Sequence, residues 1–223
     1  MRSSGRATVD RRSGVPTPIL LELSLSRFLP FVPIPSLVAA CLFTMPALAA
    51  SERHALDPSH TTVAFLVEHV GFARTLGRFT EVEGEFAWDP DTRELSDVRI
   101  VVATASVATD DAARDKHVRS EDFLSVKAHP EMVFELSGPV AVDADGTRLD
   151  GTLTLRGQTR PLALDVTLNK SDTYPFGHEK ATLGISARGA LARSDYGMEY
   201  AVANGLVGDE VELLIETEAP RAE

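Results

Sequence analysis

The sequence predicts an all-β domain of about eight antiparallel strands, arranged as a two-sheet sandwich or a closed barrel, with one short helix. Three observations lead there. From Leu56 onward, apolar residues recur at every second position in short runs. Gly, Pro and Asp signals separate the runs. Only Thr109 to Pro130 departs from this, with Ala, Arg, Lys and Glu in place of β-branched residues. Strands with one apolar face must bury those faces against each other, and periodicity alone does not choose between sandwich and barrel.

The first run, "HTTVAFLVEHVGFARTLGRF", places Val63, Phe65, Val67 and His69 on one parity, pointing inward. "VEGEFAW" aligns Val82, Phe86 and Trp88, and "SDVRIVVATASV" aligns Val98, Ile100 and Val102. "PEMVFEL" gives Met132, Phe134 and Leu136, and "RLDGTLTL" gives Leu149, Leu153 and Leu155. "RPLALDVTLN" alternates cleanly through Leu162, Leu164, Val166 and Leu168. "ATLGISARGAL" offers Leu183, Ile185 and Leu191. "DEVELLIETEA" offers Val211, Leu213 and Ile215, with glutamates outward. "WDPDTREL" and "VDADGTRL" read as hairpin turns. A helix is expected over residues 112–124, capped by Asp110 and Asp111, followed by a loop that Pro130 closes.

Residues 1–50 read as a basic leader and secretory signal outside the fold, leaving 51–223 as one domain. Five arginines precede an uncharged stretch from Phe28 to Ala50 that ends in Ala47-Leu48-Ala49, a small-x-small cleavage pattern. The expectation is Sec-type cleavage near Ala49 and a periplasmic or secreted mature chain without stable membrane insertion. A retained anchor, a twin-arginine signal at Arg11-Arg12 and a lipoprotein box ending at Cys41 are the other readings. Cys41 is the one cysteine of the sequence, so cleavage near Ala49 removes thiol, disulfide and zinc–thiolate chemistry. Of 22 basic and 33 acidic residues, five and two precede residue 51; the remaining 17 and 31 give a net charge of −14. That charge, without a basic patch, argues against nucleic-acid partners and anionic lipid surfaces.

Polar residues assemble no evident chemistry. His60, His69, His117 and His129 have no two-residue strand spacing or four-residue helix spacing, so neither a metal nor another cofactor is implied. His60 is expected to bond backbone at a barrel end and His69 to close the inward face near the mouth. Asp110, His117 and Ser120 lack a nucleophile elbow and make a poor hydrolase triad. Within Arg193-Ser-Asp195-Tyr-Gly197, a turn, Arg193 is expected to pair with Asp195 or bond loop backbone; the alternative is an anionic head group at the mouth.

In their order, "LDPSHTTVAFLVEH", Gly77-Arg78-Phe79, "ATASVATDDAARDKHVRSEDFL", "HPEMVFEL", "LDGTLTLRGQTRPLALDV" and "ARSDYG" resemble the YceI-like family of bacterial exported proteins, from about Leu56 to Ala219. One departure is Ala55-Leu56-Asp57, where the family often carries an aromatic residue. The resemblance implies a lipocalin-like, up-and-down β-barrel. Its apolar tunnel would hold a polyisoprenoid or another long-chain apolar molecule. The lining then expected is Phe65, Val67, His69, Phe79, Phe86, Ile100, Phe134, Leu164, Ile185, Arg193 and Leu213. On periodicity alone these apolar residues would simply fill a core. The function expected is a non-enzymatic carrier, its homodimerisation left open. The rival is an enzyme acting on such a lipid through His69, His117 or Arg193.

Overall fold

The computed structural model describes residues 51–223; the expected leader and cleavage site, the arginine pair and Cys41 lie outside the described residues. Within them are twelve strands and one α-helix. The strands are β1 (Glu52–Ala55), β2 (Thr62–His69), β3 (Ala73–Phe79), β4 (Val82–Asp89), β5 (Glu94–Ala103) and β6 (Val107–Ala108). Then come α1 (Ala112–Val118), β7 (Glu131–Leu136), β8 (Val140–Ala141), β9 (Thr147–Leu155), β10 (Gln158–Thr173), β11 (Ala181–Ala192) and β12 (Val207–Pro220).

The pairing decides between sandwich and barrel. All ladders are antiparallel in one sheet, and the hydrogen-bonded path runs β1-β4-β5-β7-β9-β10-β11-β12-β2-β3-β6. β3 runs into β4 across Thr80 and Glu81, and β5 runs into β6 across one 3₁₀ turn. Phe79 lies opposite Val107, and Val82 lies opposite Val102. Between these pairs, Thr80 N–H donates to the Ser106 carbonyl and Ala103 N–H to the Glu81 carbonyl. β3–β4 and β5–β6 are therefore two long bent strands lying side by side, and the ends of the path meet. β1 and β2 form a third bent strand, broken by a 3₁₀ turn at Pro58–His60. Counted this way, the sheet is a closed barrel of eight strands, with β8 a short strip beside β5.

Alternation puts the expected faces inside. Val63, Phe79, Val82, Phe86, Leu164 and Ile185 are buried. Two irregularities change the parity that simple alternation predicts. β5 slips by one residue against β4 between Leu95 and Arg99, where Asp97 takes φ +50°. This bulge turns both Leu95 and Val98 inward. β10 likewise slips by one residue against β11 between Leu168 and Lys170; the slip of β12 against β2 between Val207 and Val211 is two residues and keeps parity.

Three sequence expectations need correction. The helix ends at Val118 rather than residue 124, because Ser120 N–H turns back to the His117 carbonyl in a tighter geometry. Its cap is Asp111, whose carboxylate accepts from Arg114 N–H at 2.8 Å; Asp110 sits at φ +62° and does not cap. "VDADGTRL" is not a tight hairpin but part of the 137–146 connection between β7 and β9 that carries β8.

His54, outside the residues that the strand pattern marks as inward, is 1% exposed where β1, β4 and the end of β12 meet. Its ring stacks on Phe86 with 4° between planes. Nδ1 donates to the Ala219 carbonyl at 2.8 Å, which fixes the tautomer and leaves Nε2 as a buried acceptor without a partner. Desolvation lowers its pKa below the ordinary 6.5, against a smaller opposing pull from the Ala219 hydrogen bond. A depressed folded-state pKa means that His54 supports stability above pH 6.5, and this support is lost on acidification as only the unfolded chain takes up the proton. His60, raised by its bond to Asp57, acts with the opposite sign. His54→Asn keeps a donor near the Nδ1 position and removes the titration. Thermal midpoints measured from pH 7.5 to 5 should fall in the wild type and fall less steeply in the variant, whatever the variant loses uniformly.

Candidate functional site

The barrel encloses a cavity of about 530 Å³ lined from all eight strands. All eleven residues named from the sequence lie in its wall: Phe65, Val67, His69, Phe79, Phe86, Ile100, Phe134, Leu164, Ile185, Arg193 and Leu213. Val63, Leu95, Val98, Leu149, Leu153, Leu162, Val166, Ala187, Leu191 and Ile215 complete most of the apolar surface.

A barrel of this size is often filled by its own side chains. Here glycines let the large residues lie against the wall. A Cβ on Gly77 would stand 2.2 Å from Cζ of Phe65, its cross-strand partner. A Cβ on Gly151 would stand 2.4 Å from Cζ of Phe134. Ile100 covers Gly84 and Leu164 covers Gly189 in the same way. Four lining side chains, two of them phenylalanines, thus occupy space that a neighbouring side chain would otherwise take. The sequence signal was available: Gly77 shares the inward parity of Thr75 and Phe79, and Gly151 that of Leu149 and Leu153.

The cavity reaches solvent at the end where β2 turns into β3. There the lining includes the exposed Glu68, His69, Val70 and Tyr200, with Thr109, Arg114, His117 and Phe123 from the segment around α1. Arg114 donates through Nε to Thr109 Oγ1 at 2.8 Å and through a terminal nitrogen to the Thr109 carbonyl. His117 Nε2 lies 2.9 Å from the Asp122 carboxylate, and its ring meets those of Phe123 and Tyr200 edge-on. The opposite end is bounded by Leu56, Thr61 and Thr217. His60 stands outside that end, bonded to the Asp57 carboxylate at 2.8 Å and not to backbone as expected. Hydrogen bonds from Ser59 and His60 hold the Asp57 pKa at about 2.

Arg193 anchors the open end. It is 2% exposed and does not pair with Asp195. Its guanidinium donates to four carbonyls: Gly208 at 2.7 Å, Met198 at 2.6 Å, and Tyr200 and Val207 at 2.9 Å each. Val207 and Gly208 lie in the irregular stretch of β12, where the ladder to β2 lapses and leaves acceptors that need a donor. The charge rests 5.5 Å from the Phe123 ring centroid. Burial lowers the Arg193 pKa, and Asp209 opposes that shift. Asp209 itself accepts from the backbone and hydroxyl of Ser194 at 2.9 and 2.8 Å. His69, His117 and Arg193 therefore share the open end, but Arg193 spends its donors on the frame of the mouth. Among the described residues, no three His, Cys, Asp or Glu side chains converge as metal ligands.

The cavity's openness can be tested at Gly77. Gly77→Ala forces the Phe65 ring off the wall and into the cavity. Uptake of an apolar fluorescent dye should drop at least several-fold, at a stability cost of about 1–3 kcal/mol. Adding Phe65→Ala should restore uptake.

Comparison with known proteins supports this reading of the fold. A family model described as YceI-like domain matches residues 54–219. The UPF0312 protein of Pectobacterium atrosepticum is 34% identical over 175 residues, covering 78% of this chain and 88% of its own. The crystal structure of the Campylobacter jejuni YCEI protein matches with TM-score 0.63 and 26% identity, over 70% of this chain and 90% of that one. A polyisoprenoid binding domain from Saccharophagus degradans, implicated in plant cell wall breakdown, matches with TM-score 0.53 and 16% identity, over 79% of this chain and all of that one; this last likeness bears on fold alone.

Proposed function

The chain belongs to the YceI-like family, and from that premise we propose that it is a carrier holding one long apolar molecule inside the barrel. The class is a polyisoprenoid, a quinone tail or a fatty-acid derivative. The observation that carries this is the glycine-backed wall, which leaves an apolar interior unfilled instead of packing it. Burial of an acyl or prenyl chain there gains roughly 25 cal/mol per Å² of apolar surface, with few polar contacts required. The ionisable groups of the lining gather at one end, around His69, Arg114 and His117, which suits a molecule with a single polar head.

The proposal places the protein outside the cytoplasm, in the periplasm or secreted, after cleavage near Ala49. The basic leader, the uncharged stretch and the small-residue terminus support this.

Native mass spectrometry of the protein purified from its producing cells, followed by solvent extraction, tests both parts. The expected result is a bound apolar mass and an N-terminus near residue 50. Phe65→Glu should lose that mass while keeping its circular dichroism. An empty protein that also refuses added prenyl lipids and quinones would overturn the carrier reading. A lipid recovered with altered mass would turn it toward the enzymatic alternative.

A further inference from the structure

We propose that the rim of the open end is a docking surface for a phospholipid bilayer of low net charge, through which the cargo enters and leaves. The inference rests on the carrier reading and goes beyond it.

Among the described residues, six large apolar side chains stand exposed, and four of them sit together at this rim: Val70, Phe72, Tyr200 and Leu206. Phe72 is 93% exposed at the tip of the β2–β3 hairpin. Val70 N–H donates to the Leu206 carbonyl at 2.9 Å, stitching the hairpin tip to the 200–207 segment. Val70, Tyr200 and Leu206 also line the cavity, so part of its apolar wall continues out onto the surface.

Charge and backbone geometry agree. One residue in four of this chain is charged, yet 69–73 and 200–208 contain no Asp, Glu, Lys or Arg. These two segments carry no formal charge of their own to desolvate in a low-dielectric phase. The acidic remainder of the protein disfavours an anionic surface, which points to zwitterionic lipid.

The hairpin tip turns at Val70-Gly71, with φ +56° and +71°, closed by Phe72 N–H to the His69 carbonyl. Both positions call for positive φ, where Asn-Gly is the favoured pair. A β-branched residue there is a true backbone outlier. The tip carries strain and exposed apolar surface at one residue, the combination expected where function overrides folding.

The test uses the full-length gene product, purified as the cell leaves it, with Phe72→Trp as a local reporter. The natural Trp88 is buried at 2% exposure, so any change in the added signal comes from the rim, with or without the leader. With phosphatidylcholine vesicles, the reporter emission should shift to shorter wavelength and be quenched by brominated acyl chains, unchanged by salt. In that background, Val70→Asn with Leu206→Ser should weaken vesicle binding by about tenfold or more, while Val70→Asn alone raises the thermal midpoint. Leu206→Trp serves as a second reporter.

A reporter that ignores vesicles at both positions overturns the proposal. So does a blue shift that follows protein concentration without lipid, which would assign the rim to a second copy of this chain. Dye uptake in vesicle-free buffer separates the two ideas. Uptake without a vesicle response sinks the docking surface alone; a vesicle response without uptake sinks the carrier reading and leaves the docking surface standing.

Discussion

The space beneath Phe65 and Phe134 governs the rest of the molecule. An eight-stranded barrel is narrow enough to be filled by ordinary side chains. Keeping it open requires large inward residues to lie flat, and they can do so only where the adjoining strand presents no Cβ. Gly77 and Gly151 meet that requirement. Each also weakens its own strand, since glycine gives up more chain entropy on folding than other residues. An apolar surface without packing partners forgoes dispersion contacts as well. Those losses are tolerable if something else supplies the contacts, and a bound chain would add stability by mass action.

The stability of the open barrel must come from its wall. β10 has 16 residues and β12 has 14, and their ladders with β11 are nearly continuous. The irregular places are tied off locally. Arg193 takes up the carbonyls that the slip in β12 leaves without ladder partners, and Asp209 holds the turn that presents Arg193. A buried cation bonded only to carbonyl oxygens is expensive to desolvate. Its placement makes sense as the frame of an opening, where a packed apolar contact would have closed the cavity.

Much of this was legible in the sequence because inward and outward residues alternate strictly along most of the chain. β10 is the clearest case: Leu162, Leu164, Val166 and Leu168 were readable as one face, and all four are buried. Leu95 was not, because the bulge at Asp97 reverses parity over three residues and leaves no compositional mark beyond an Asp. The helix is shorter than its composition suggests, because Arg119 to Leu124 keep a helical composition while the backbone turns back after Val118. The choice of barrel over sandwich depends on how β3–β4 and β5–β6 bend together, a long-range fact that local periodicity does not encode. His54 escaped notice because a histidine beside the first strand has no signature that separates a buried stacking partner from a surface one.

The seam between the two ends of the domain has a temporal meaning. Thr62 pairs with Glu216, His54 bridges to Arg221, and Ala222 N–H donates to the Arg53 carbonyl. The first strand of the domain therefore has one of its two neighbours more than 150 residues further along the chain. Contacts this distant in sequence close slowly, and this wall cannot close at all before residue 221 exists. Until then β1 and β2 lack that flanking strand, and the barrel stays open along one side for most of its synthesis.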